Sequence, residues 1–165
     1  MSSLKKQAQK GFTIVELLIV IVVIGILAAL VITTYNGIQE KGRNTERTTD
    51  LKALQGQLEA YFAANGRYPA VATDGTGLGS SSTQNVAFIG TNMKGLDKEA
   101  LRDPKAAAGD YSMNTGTTVN ADKYTYNPTA DGTAACDNTT TDCGKYTITA
   151  VPEGGGSNIV LNSLN

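Results

Sequence analysis

The chain has 165 residues, a formal net charge of −1, and neither histidine nor tryptophan. That length holds one domain plus an appendage, not two full domains. From Gly66 onward 7 Lys+Arg stand against 10 Asp+Glu. A mildly acidic region without a basic stripe is a poor binder of phosphates, so direct nucleic-acid binding is not expected. Without histidine, a nucleophile elbow or a supported pair of carboxylates, neither catalysis nor a cofactor is expected.

Lys5, Lys6 and Lys10 come first, and no acidic residue lies before Glu16. The run Phe12 to Ile32 is 21 residues long, broken only by Thr13 and Glu16. As a helix it spans about 31 Å, close to the ~30 Å hydrocarbon core of a bilayer. The lysines ahead of it keep the N-terminus cytoplasmic and send the rest of the chain outward. A secretory signal would have a shorter apolar core followed by a small-residue cleavage site. Ala28-Ala29 is the one candidate for such a site, and the run continues past it through Leu30, Val31 and Ile32. Within this anchor Glu16 needs an explanation, because a carboxylate at mid-bilayer costs about 2.5–3.5 kcal/mol on insertion scales.

The residues around it supply one. Lys10-Gly11-Phe12-Thr13-Ile14-Val15-Glu16-Leu17-Leu18 resembles the N-terminal signal of type IV pilins and pseudopilins. The resemblance implies a leader, residues 1–11, removed by a membrane-embedded peptidase that cuts after Gly11 and N-methylates Phe12. Glu16 then matches the family's conserved glutamate. Cleavage would leave a positively charged amine on Phe12, and an intramembrane charge is tolerable when paired with an opposite one. Glu16 could reach the amine of its own chain one turn away. The resemblance implies instead the Phe12 amine of a neighbour, which sets axial register during assembly. The bland reading is a charge that snorkels to the headgroups.

After the anchor, residues 12–34, the chain is expected to stay helical through an amphipathic continuation, residues 35–65. Leu51, Leu54, Leu58, Tyr61 and Phe62 fall on one face, with Asp50, Lys52 and Glu59 displaced from it. Asn65-Gly66 and Pro69 read as the stop. Many family members carry a proline near the position of Thr33. Here Thr33, Thr34, Gly37 and Gly42 are the weak helix formers, and loss of helix between Thr33 and Gly42 is expected in an assembled fibre. Ala70 to Gln84 reads as a Gly/Ser/Thr loop. Its Gly75, Gly77 and Gly79 imitate a phosphate-binding pattern but lack the strand and helix such a loop needs.

The head, residues 66–165, reads as short strands and turns. Val86 to Ile89, Tyr124 to Tyr126, Tyr146 to Ala150 and Ile159 to Leu161 are the strand candidates, and Asp97 to Leu101 reads as a helical turn stopped by Pro104. The expected fold is α+β: one long helix whose second half packs on a small antiparallel sheet.

Cys136 and Cys143 enclose a polar loop. Outside the cytoplasm disulfides persist, and two cysteines without histidine fall short of the four ligands of a zinc site, so a disulfide is expected over a metal or redox pair. No metal is assigned. A sharper alternative takes Asp131, Asp137 and Asp142 as oxygen ligands for Ca²⁺. Asn138-Thr139-Thr140 also fits the N-glycosylation pattern of a surface loop.

The leading functional expectation is a pilin, a subunit of a type IV pilus-like extracellular filament for adhesion, surface motility or DNA uptake. It would be a homopolymer, stored in the cytoplasmic membrane before assembly. The resemblance implies three partners: the prepilin peptidase/methyltransferase, a membrane platform protein and an assembly ATPase. The alternative is a pseudopilin of a type II secretion system. The cysteine loop leans towards a pilin, because major pseudopilins usually lack one. A minor tip pilin and an uncleaved surface anchor are the remaining readings.

Overall fold

In the computed structural model residues 11–71 and 77–165 are described. Residues 1–10 of the expected leader, with Lys5, Lys6 and Lys10, lie outside them, as does Gly75. The chain divides into two compact units, one ending at Gln39 and the other running Glu40–Asn165.

Helix α1, Ile14–Asn65, is 52 residues long and unbroken. Through the first unit its apolar side chains are exposed all round, from Ile14 (83%) to Ile38 (63%). A helix that is apolar on every side and unburied is suited to lipid or to other such helices. In the second unit only one stripe is apolar, and Leu51, Leu54 and Leu58 are fully buried. Gly66 ends the helix: it adopts φ +74°, where a side chain is disfavoured, and its N–H bonds Phe62 O at 2.7 Å.

Beyond α1 come α2 (Ser82–Asn92), a 3-10 turn (Lys98–Leu101) and strands β1 (Asn114–Thr115), β2 (Thr125–Thr129), β3 (Lys145–Ala150) and β4 (Ile159–Asn162). They form one sheet in the order β1-β2-β3-β4. Pairs β2–β3 and β3–β4 are antiparallel, but β1 runs parallel to β2, so the sheet is mixed and not wholly antiparallel. The parallel ladder is only Asn114↔Thr125 and Thr115↔Tyr126. Pro128 is therefore tolerated in β2, because the missing N–H falls where β1 has already ended.

The other correction concerns Val86 to Ile89, which is part of α2 and not a strand. A four-residue apolar run has no period of its own. Its burial shows the helical spacing instead, with Asn85, Phe88 and Ile89 on the inner face. The expected loop accordingly stops at Ser81. Gly79 is no phosphate cradle: its N–H and C=O are both held by the Asn85 amide, at 2.8 and 2.7 Å. The turn before Pro104 is present, and the Asp97 side chain caps it by accepting the Glu99 N–H.

The core lies between the α1 stripe and the inner face of the sheet, with Tyr124, Tyr126, Tyr146, Ile148 and Ala150 all buried. Tyr68 stacks edge-on against Tyr146 with 4.6 Å between ring centroids. Two carboxylates that the helical pattern displaces from the apolar stripe serve these tyrosines. Glu59 accepts from the Tyr68 and Tyr146 hydroxyls at 2.8 and 2.9 Å, and Asp50 accepts from Tyr124 at 2.8 Å.

Candidate assembly site

The first turn of α1 closes on itself. The Thr13 N–H and hydroxyl both donate to Glu16 Oε2, at 2.8 and 2.7 Å, and the Glu16 N–H donates back to Thr13 Oγ1 at 3.2 Å. This is the reciprocal arrangement of a capping box, which satisfies two otherwise orphaned N–H groups at a helix start. The sequence carries this signal as Thr-x-x-Glu before an apolar run. While Phe12 remains joined to Gly11, Glu16 thus has a local role, held by Thr13. Phe12 and Gly11 beside it are exposed.

Where α1 joins the head, residues 43–47 are gripped by the β3–β4 loop. Both Glu153 oxygens accept from Arg43, each at 2.6 Å. Glu153 Oε1 also accepts from Arg47 at 3.0 Å. Asn44 pairs with the Glu153 backbone in both directions. Arg47 is fully buried and makes a two-pronged pair with Asp103, at 2.7 and 2.8 Å. The Arg43 and Arg47 guanidinium groups, working against burial, pull the Glu153 carboxyl down to about 2. Arginine at these positions reads in sequence as part of a solvated face, and nothing local announces a partner more than fifty residues away.

At the far end of the head Cys136 and Cys143 are disulfide-bonded, with Cα atoms 5.2 Å apart. Inside the loop Asp137 Oδ1 accepts from the N–H groups of Thr139, Thr140 and Thr141 at 2.8–3.1 Å. These bonds hold its carboxyl well below the usual range. Asn138 is half-buried: its amide donates to Tyr68 O at 2.7 Å and accepts from Cys143 N–H at 2.8 Å. The nitrogen that a glycan would need is therefore already engaged. Asp131 accepts from the N–H groups of Thr133 and Ala134, which lower it to about 2. Asp142 pairs with Arg67 at 2.9 Å. The three candidate calcium ligands thus turn to three different partners. Among the described residues no group of three or more acidic or cysteine side chains is placed to hold a metal ion.

A family profile described as "Prokaryotic N-terminal methylation motif" matches residues 6–32, the segment that carries Gly11, Phe12 and Glu16. Type II secretion system core protein G of Klebsiella pneumoniae is 44% identical over 63 residues, 38% of this chain and 45% of that protein. Core protein G of Vibrio cholerae is 31% identical over 146 residues, 87% of this chain and 96% of its own. Fimbrial protein EcpC of Eikenella corrodens is 34% identical over 84 residues, 51% of this chain and 53% of its own. The chain spans about half the length of the first of these relatives, and nearly all of the Vibrio protein. No solved structure gives a significant match. With the motif at its start, the helix-and-sheet head behind it and a relative aligned almost end to end, the chain belongs to the pilin and pseudopilin family.

Proposed function

We propose that this protein is a pseudopilin, the repeating subunit of a fibre of the type II secretion kind. The observation that carries the reading is the near full-length alignment with a core protein G, which extends through the head and not only the motif. That alignment reverses the order of the two readings drawn from sequence, in which the pilin stood first. The precursor is a single-pass membrane protein cut after Gly11, with Phe12 methylated and Glu16 then free to trade Thr13 for an amine. Assembly exchanges lipid for identical helices around the exposed apolar half of α1. It draws on a peptidase, a platform protein and an ATPase.

The intact mass of the protein in membrane and sheared surface fractions tests this. A mass starting at N-methylated Phe12, lighter by the two hydrogens of a disulfide, is expected in the membrane fraction. Deletion of the protein should stop export of secreted proteins. A chain that keeps residues 1–11 in every fraction would overturn the proposal. The second reading, a pilin, rests on the fimbrial relative; processed protein in long sheared fibres, with secretion intact after deletion, would select it.

A further inference from the structure

Along one flank of α1, Lys41, Thr45, Thr48 and Lys52 face the Gly155–Ser157 part of the β3–β4 loop across an open groove. Both lysines are exposed, and neither has an ion-pair partner among the described residues. Glu153 also lines the groove, but Arg43 and Arg47 already occupy its oxygens. Glu40 stands beside it, its Oε2 lying 3.2 Å from where a Cβ on Gly154 would stand. The groove is therefore net positive and lined with hydroxyls.

The complementary feature belongs to the same chain. Residues 130–142 hold Asp131, Asp137 and Asp142 and no lysine or arginine. All three carboxylates are exposed. The segment is tied to Arg67 and Tyr68, just past the end of α1. From Lys52 to Asn65 the helix rises about 20 Å, at 1.5 Å per residue. The positive groove and the acidic loop thus sit at opposite ends of the head. A contact between two unlike patches at opposite ends of one molecule is heterologous, and repeated with a rotation that does not close it gives an open polymer. The loop is also stiff, fixed by the disulfide, by Asp137 and by Asn138, so little ordering entropy is lost when it docks.

We propose that the groove seats the acidic disulfide loop of a second copy, which makes it the contact between neighbouring heads along the fibre. This rests on the fibre-subunit reading. The test is photo-crosslinking in assembled fibres from the full chain, with benzoylphenylalanine at Thr45, and mass-spectrometric mapping of the product. The expected partner is the 130–142 segment of another copy. A crosslink to a different part of another copy, to lipid, or only within one chain overturns the contact.

A charge reversal, Lys41→Glu with Lys52→Glu, should lower fibre yield about tenfold, since each 1.4 kcal/mol of like-charge penalty is a factor of ten. Adding Asp142→Lys should restore much of it. That residue is chosen because its exposed pair with Arg67 contributes little to folding. Fibres formed at unchanged yield by the reversed variant sink the contact alone. A wild-type chain that never polymerises sinks the fibre reading with it.

Discussion

Replacing Asp103 with asparagine keeps the shape of the side chain and removes its charge, which leaves Arg47 as the variable. Arg47 is fully buried and Asp103 is 1% exposed, so neither charge has water to fall back on. Breaking a buried pair by neutralising one partner costs about 3–5 kcal/mol, because the survivor stays desolvated. Here Glu153 still reaches Arg47 at 3.0 Å and Asn44 at 2.8 Å, which places the expected loss near the lower limit, about 3 kcal/mol. Urea unfolding of the full chain in detergent, followed by near-ultraviolet circular dichroism, reads this directly. All tyrosines except Tyr35 lie in the head unit. With a urea slope of about 1.5 kcal/mol/M the midpoint should fall by roughly 2 M. The double variant Arg47→Met with Asp103→Leu, which removes both charges, should be less damaged than Asp103→Asn alone. A midpoint shift below about 0.3 M in the single variant, with an unchanged slope, would refute the claim that Arg47 is held by charge pairing.

Three further outcomes follow from the same structure. Gly144→Ala should destabilise the head by about 1–3 kcal/mol, since its Cβ would stand 2.5 Å from Ala130 O, whereas Gly56→Ala on the open side of α1 should stabilise it by up to about 1 kcal/mol; thermal melts of the two variants should move in opposite directions. Burial, helped by Glu46 and Asp103 and opposed by the Tyr124 hydroxyl and Arg102, pushes Asp50 up to about 6. The native state then binds a proton the unfolded chain has lost, so head stability should fall as pH rises from about 4 to 6, and Asp50→Asn should flatten that slope in melts taken across the range. Cys136→Ser with Cys143→Ser should cost less than the ~2.5 kcal/mol of the chain-entropy account, because Asp137 and Asn138 already hold the loop's turn; urea midpoints of the two forms would check it.

What could be read in the sequence follows from the range of the interactions involved. The α1 stripe was legible because Leu51, Leu54 and Leu58 repeat at helical spacing over successive turns, and Asn65-Gly66 marks its end. Strands β3 and β4 were legible from their own alternation and apolar content. Val86 to Ile89 misled because its helical face is completed by a polar residue, Asn85, buried only through its bonds to Gly79 and Tyr111. Strand β1 is two residues long and has no pattern to read. The contacts of Asp50 with Tyr124 and of Glu59 with Tyr146, like the Arg47 pair, join residues far apart in the chain, and in sequence each is simply a charge on a helix. Glu16 is the reverse case: its partner Thr13 is only three residues away, in a Thr-x-x-Glu pattern that sequence alone displays.

The disulfide loop shows why a feature shared with pilins is a poor guide to function. In sequence the Cys136–Cys143 spacing leans towards a pilin with a cysteine-bounded display region. In the fold the loop's aspartates and threonines are exposed, while Asn138 and Cys143 turn inward. Asn138 spends both ends of its amide on Tyr68 O and Cys143 N–H, and Tyr68 N–H donates to Cys143 O at 2.8 Å. Tyr68 in turn holds Glu59, and Glu59 holds Tyr146 on β3. The loop therefore fastens the chain leaving α1 onto the sheet, a task any small head must solve whatever its fibre does, because a core this size leaves little stability to spare. Cross-linking is one solution to that problem, open to pilin and pseudopilin alike. The choice between them rests on the head's alignment with a secretion-system relative, and the charges proposed to join neighbouring heads are the three exposed aspartates of the loop and, towards the other end, Lys41 and Lys52.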